Sequence, residues 1–350
     1  MITGRVGFVA LASVLAAAAV GACVRDIPGV SPTPTATPGV PAPRDDGAVS
    51  MTGRAPLTGI PISQPLKRPA VTVKISNTPD AHPHRGLGDA DLVFVEPITG
   101  ATTRLAAVFH SRLPAQIGPV RSLRPMDAPL IGPTGGVIAD TMADRWVLAY
   151  FDKAADVDNL GTLSVPGGTY RIDPRRRSPN HVFAQPAKLL ALTKRTAPPP
   201  PYFSYAAGIA QSTARLGTPA TSVRIGYGGP ATATWTYQRQ TRRWVRAEQW
   251  SPHLLEGGGQ VAADNVLVLR AAPDRGFPQA KGSMTILDLT DAFGPLQLFV
   301  GGKVVAGRWA KAGVNEPFTF TGPDGKRLLL TPGTTWVECT LTSMPVQVSP

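Results

Sequence analysis

The stretch "IGPVRSLRPMD", residues 117–127, sets Arg121 and Arg124 three positions apart between Pro119 and Pro125, with no other basic residue in it. Guanidinium forks grip phosphate or carboxylate through paired hydrogen bonds, and Ser122 between them adds a hydroxyl donor. On a helix this spacing puts both arginines on one face; in an extended segment it puts them on opposite faces. The flanking prolines exclude a long helix and leave a single turn open. Arg104 stands near the start of "TTRLAAVFH", and Glu96 near the end of "ADLVFVEPI". If these two segments pair as strands, Glu96 lies beside Arg104. The expectation is an acidic-and-basic cleft in which Arg104, Arg121 and Arg124 hold an anion. Glu96 and Asn77 shape it, and Asp91 and His181 (in "SPNHVF") are further candidates for it. The competing reading is structural: Glu96 and Asp91 neutralise the arginines in an ion-pair network.

Other chemistries have weaker footing. "ISNTPDAHPHRGLGDAD" offers Asn77, Asp80, His82, His84, Asp89 and Asp91 as metal ligands. His-x-His on a strand would present two rings on one face, but Pro83 breaks that geometry and no third histidine is near in sequence. Loop polarity accounts for the segment, so neither a metal nor another cofactor is expected. The chain has no Gly-x-Ser-x-Gly, no Ser-x-x-Lys and no phosphate-cradling glycine loop. Cys339 sits in a strand-like run, "TTWVECTL", without an adjacent histidine, which reads as an inert thiol.

These residues need elements to position them. "PAVTVKIS", "ADLVFVEPI" and "TTRLAAVFH" alternate like three strands, separated by the turn-rich "NTPDAHPHRGLGD". "GGVIAD" is a short apolar run, and "TMADRWVLAYFDKAADVDNL" and "AQPAKLLALTKR" carry helical spacing. "APPPPYF", residues 197–203, cannot continue a helix and marks a boundary. Beyond it, short alternating runs between Gly, Asn, Asp and Pro turns indicate antiparallel strands. The expected fold class is α+β: a mixed-sheet N-terminal domain with helices over residues 55–196, then a mainly antiparallel β-rich domain over residues 203–345.

Compartment follows from the first residues. "MITGRVG" carries one charge, Arg5, before the apolar run "FVALASVLAAAAV", which is of signal-peptide length. Val20-Gly21-Ala22-Cys23 then resembles a bacterial lipobox, with residues 1–22 as the leader and Cys23 as the lipidated residue. Two acyl chains on Cys23 suffice for stable anchoring. Residues 24–50 are rich in Pro, Thr and Ala and read as a tether. The 350 residues hold 35 Lys+Arg against 23 Asp+Glu, a formal charge of +12. That balance attracts acidic surfaces generally. An extracytoplasmic address sets nucleic acid aside and leaves anionic lipid or wall polymer as partners, with any protein partner undetermined. Arg175–Arg177 ("RRR") reads as a solvated basic patch suited to headgroups.

In order, "PLTGIPI", "RPAVTVKISNTPDAHPHRGLGDADLVFVE", "GATTRLAAVFHS", "IGPVRSLRP" and "SPNHVF" resemble the N-terminal domain of the YerB-like bacterial lipoproteins (domain of unknown function 3048). "LFVGGKVVAGRWAK" and "GKRLLLTPGTTWVE" resemble its C-terminal domain. The resemblance implies two-domain architecture and an envelope address; it brings no established activity and no catalytic residues. His82 and His84 depart from its pattern, so a histidine role there would be peculiar to this chain. Taken together, the residues point to a lipid-anchored extracytoplasmic protein that binds an anionic ligand without catalysis. Two alternatives stand: a wall-directed hydrolase with Asp91 or Glu96 as acid or base, and an assembly partner of a membrane complex.

Overall fold

The three alternating segments form the centre of a large sheet: β1 (Val71–Asn77), β2 (Leu92–Ile98) and β3 (Thr102–Phe109). The computed structural model describes residues 47–98, 102–277, 280 and 285–350. The leader, Cys23 and most of the tether fall outside the described residues. β3 lies between β1 and β2, antiparallel to both, so that Ser76 and Glu96 both stand opposite Arg104. A short strand, β4 (Val137–Ala139), adds parallel to β1.

On its other side β2 pairs in parallel with the strand Thr335–Leu341, which pairs in parallel with Asn265–Ala271. Antiparallel strands Ala292–Val300 and Lys303–Lys311 continue the sheet to eleven strands. One sheet thus runs through both halves of the chain. Thr335–Leu341 is an exception to the antiparallel pattern expected of the second half. It follows a long excursion from Lys311, and a parallel neighbour requires a crossover of that kind rather than a hairpin.

A second sheet of five strands, including Ser222–Gly226, Thr232–Gln238 and Arg243–Glu248, covers one face. Val73, Val95 and Leu105 pack there with Trp235, Trp244 and Phe299. The opposite face, bearing Phe94, Ala106 and Val108, packs against α1 (Asp127–Ile131) and α2 (Arg145–Ala154). α2 buries Val147 and Phe151, four residues apart on one stripe, and ends at Ala155, whose backbone is extended. The helical reading of "AQPAKLLALTKR" shortens to Pro186–Leu190. With both faces of β1–β3 covered, every polar side chain on them must find a partner inside the protein.

Candidate functional site

Alternation in "VTVKIS" puts Thr72, Lys74 and Ser76 on one face of β1, which in a half-exposed sheet would face water. Here α1 covers that face, and Lys74 is completely buried. Its ammonium is held by two equally buried carboxylates, Glu96 Oε1 and Asp127 Oδ1, each 2.6 Å from Nζ. One cation between two acids balances only one of them. Burial, and then the nearby Asp127 carboxylate, raise Glu96 from 4.5 to about 8. At neutral pH this pair of acids keeps one proton. Asp140, just beyond β4, is buried close by; burial and then the charges of Asp127 and Asp152 raise it to about 7.

The arginines converge beside this triad without joining it. Arg104 stands across from Glu96, yet Lys74 has taken the Glu96 carboxylate. Arg121 and Arg124 come from the segment before α1. That segment is fixed by Arg121 N–H donating to Lys74 O, by Arg121 O accepting from Thr141, and by Arg124 N–H donating 2.6 Å to Asp127 Oδ2. It is not helical, and both arginines lie near enough to Arg104 to act on its charge. Among the described residues, no carboxylate lies within 4.0 Å of any of the three guanidinium groups. Arg104 is only 5% exposed, its Nε has no partner, and the Nε of Arg121 is also buried without one. Burial, then Arg124 and Arg121, push Arg104 down to about 9, which leaves it charged at neutral pH. Burial and Arg124 lower Arg121 too. Three like charges around a partly desolvated space cost free energy that an anion would return.

Asn77 does not belong to this cleft. Three residues beyond Lys74 on β1, it points to the opposite face, where Nδ2 donates to Thr103 Oγ1 (2.6 Å) and Glu248 Oε1 (2.7 Å) and Oδ1 meets His82 Nε2 at 2.9 Å. Asp91 is also elsewhere. It precedes β2, five residues from Glu96, a separation of about 16 Å along an extended strand. Its carboxylate is consumed by the backbone N–H groups of His110 and Ser111, both at 2.7 Å. Burial raises Asp91, but the work of the group is to tie off the end of β3. Asp91 and Glu96 are therefore too far apart to act as one acid–base pair on a glycosidic bond. His181 lies in the loop leading to Val182–Ala184; its backbone oxygen accepts from Asp173 N–H, which ties that loop to the Tyr170–Ile172 hairpin arm rather than to the arginines.

Lys74 and Asp127 sit in runs that scan as an ordinary strand or turn; the aspartates from Asp140 to Asp158 lack the placements of a calcium loop and read as a solvated helix face, yet Asp140 is buried beyond β4. A lysine in the middle of a β-branched run was the available signal. The metal reading also missed a residue: His253, 169 positions beyond His84, stands with Nε2 2.8 Å from His84 Nδ1. Cys339 is fully buried, and burial raises its thiol well above the ordinary value.

Two models for proteins of unknown function (DUF3048) match the chain: the N-terminal domain over residues 57–198 and the C-terminal domain over residues 223–337. Together they take in most of the sequence, in the expected order. The chain belongs to this YerB-like family. A curated relative, "Putative lipoprotein YerB" of Bacillus subtilis (strain 168), is 43% identical over 72 residues, covering 20% of this chain and 22% of that protein. The sequence match therefore spans about a fifth of YerB. The crystal structure of YerB protein from Bacillus subtilis superposes with a TM-score of 0.71 at 23% identity, over 84% of this chain and 99% of that one. YerB thus shares the fold. Among the described residues, no helix is long and apolar enough to cross a membrane.

Proposed function

We propose that this protein is an extracytoplasmic lipoprotein, anchored through diacylglycerol on Cys23, that binds an anionic envelope ligand through Arg104, Arg121 and Arg124. The lipobox-like Val20–Cys23 and the name of the YerB relative support the anchor. The observation that carries the binding reading is the convergence of three guanidinium groups with no carboxylate within 4.0 Å among the described residues, one of them almost fully buried. A structural network would have paired them with Glu96. Lys74 holds that carboxylate instead. The ligand class is one that presents several anionic oxygens in a small volume, as phosphate and phosphodiester groups do.

The test is thermal unfolding of the full-length protein against inorganic phosphate and pyrophosphate, with sodium chloride matched for ionic strength. An anion that binds only the folded state raises the midpoint with concentration. The rise should vanish in the Arg121→Ala/Arg124→Ala double variant. An equal rise in the double variant, or none in the wild type, overturns the assignment.

A further inference from the structure

The opposite face of β1 carries a second polar cluster, enclosed between the two sheets. His82, His84 and His253 meet there, with ring centroids 4.3, 4.5 and 4.9 Å apart. One ligating nitrogen from each lies within 4.8 Å of the other two.

The hydrogen bonds fix the tautomers. Ser76 O can only accept, so His84 Nε2, at 2.6 Å, carries its proton and Nδ1 is a lone pair. Asn77 Nδ2 donates to Glu248 and Thr103, which turns Oδ1 toward His82 Nε2 and makes that nitrogen the donor. His82 Nδ1 is then a second lone pair, buried with no partner. Arg246 can only donate, so His253 Nδ1, 2.9 Å from its NH1, accepts, and His253 Nε2 carries a proton shared with His84 Nδ1. Each ring's outer nitrogen is therefore tied to a group that orients it, and the three inner nitrogens face one another. Metal-ligating histidines donate their outer N–H to oxygen partners, as His82 and His84 do here.

We propose that His82 Nδ1, His84 Nδ1 and His253 Nε2 form a zinc site. Three imidazoles suit a borderline ion, and three protein ligands leave a fourth position free. Zinc would take the place of the proton between His84 and His253. That proton moves to His253 Nδ1; Arg246 NH1 gives up its contact with that nitrogen and keeps Glu248 Oε1, and the ring turns its Nδ1–H toward the same carboxylate, 3.5 Å away, so the ring stays neutral and no proton is lost. Zn–N bonds of about 2.0–2.1 Å in a tetrahedron place nitrogens about 3.3 Å apart. His84 and His253 need to separate by about half an ångström from their present contact, and His82 needs to close in. Glu248 and Glu338 both accept from Arg246, so two carboxylates surround one guanidinium and the cluster has room for positive charge.

Access comes through His82. His84 and His253 are fully enclosed, whereas His82 is half-buried and lines a surface cavity of about 520 Å³ with Asp80, Arg176, Arg177 and Asn180. The fourth position is reached from that basic cavity, by water or a small anion. This site is separate from the arginine cluster, on the other side of the sheet.

The test is zinc titration of the full-length protein, stripped with a chelator, against a competing chromogenic chelator, with cobalt substituted in a parallel sample. One equivalent of zinc should bind, and cobalt should give the visible bands of a four-coordinate ion. His82→Gln, at the accessible corner, should keep the thermal midpoint of the zinc-free protein and weaken zinc at least about tenfold. His253→Gln should do the same if it folds; if it does not, His82→Gln decides alone. Absence of a stoichiometric equivalent, or affinity unchanged in His82→Gln, overturns the proposal.

Discussion

At the residue scale, the buried triad Lys74–Glu96–Asp127 decides how the arginines behave. A salt bridge inside a protein is costly to form and more costly to break. With Glu96 held by Lys74, no carboxylate among the described residues comes within 4.0 Å of Arg104. The same triad makes stability depend on pH. Glu96 is raised from 4.5 to about 8, so between those values the folded protein holds a proton that the unfolded chain has released. Stability then falls as pH rises through that window, by up to about 1.4 kcal/mol per pH unit, and levels off above it. Asp140, raised to about 7, adds a fall of the same sign below that pH. In urea-midpoint measurements across pH, Glu96→Gln should abolish the decline between roughly pH 7 and 8 while retaining the part below that Asp140 supplies. A profile identical to the wild type would show that the acid pair holds no such proton.

At the element scale, Thr335–Leu341 is the strand on which the architecture turns. It pairs with Asn265–Ala271 on one side and β2 on the other, and from its face toward the second sheet it extends Glu338. That carboxylate accepts from Trp235 Nε1 at 2.6 Å, from Arg246 Nε at 2.9 Å and from the Tyr227 hydroxyl. Trp235 and Arg246 lie in strands of the five-stranded sheet and Tyr227 directly follows another, so one acceptor fastens the two sheets together. Glu338→Gln would turn an amide N–H against these donors and would remove one of the two carboxylates that accept from the buried Arg246. The expected cost is about 3–5 kcal/mol, measured by chemical denaturation. A loss under about 1 kcal/mol would mean that the sheets are held by apolar packing alone.

For the whole molecule, the continuous sheet matters more than the division of the sequence at "APPPPYF". Strands from both halves hydrogen-bond directly, β2 to Thr335–Leu341, and the apolar layers on both faces draw on both halves. Cutting the molecule there would expose a central strand edge on each side. Differential scanning calorimetry of the full chain should therefore give one cooperative transition for the described region, with calorimetric and van't Hoff enthalpies in agreement. Two resolved transitions would mean that the halves fold independently in spite of the shared sheet.

The sequence determined the local elements: β1, β2 and β3 follow from alternation of β-branched residues, and α2 from apolar residues four apart. It also determined the family, through motifs spread over both halves, and the candidacy of Arg104, Arg121 and Arg124 as a group. What it left undecided depends on partners distant along the chain. Alternation says which residues share a face but not whether that face meets water. Lys74 is buried because α1 covers its face, and Arg246 and Glu248, on the same strand face as Trp244, because one sheet packs on the other. Asn77 and Glu96 seemed to serve one cleft because both close a strand, yet the pleat sends them to opposite faces. The third histidine was invisible for the same reason. His253 is far from His84 in the chain, and only the packing of one sheet on another brings their ring nitrogens into contact.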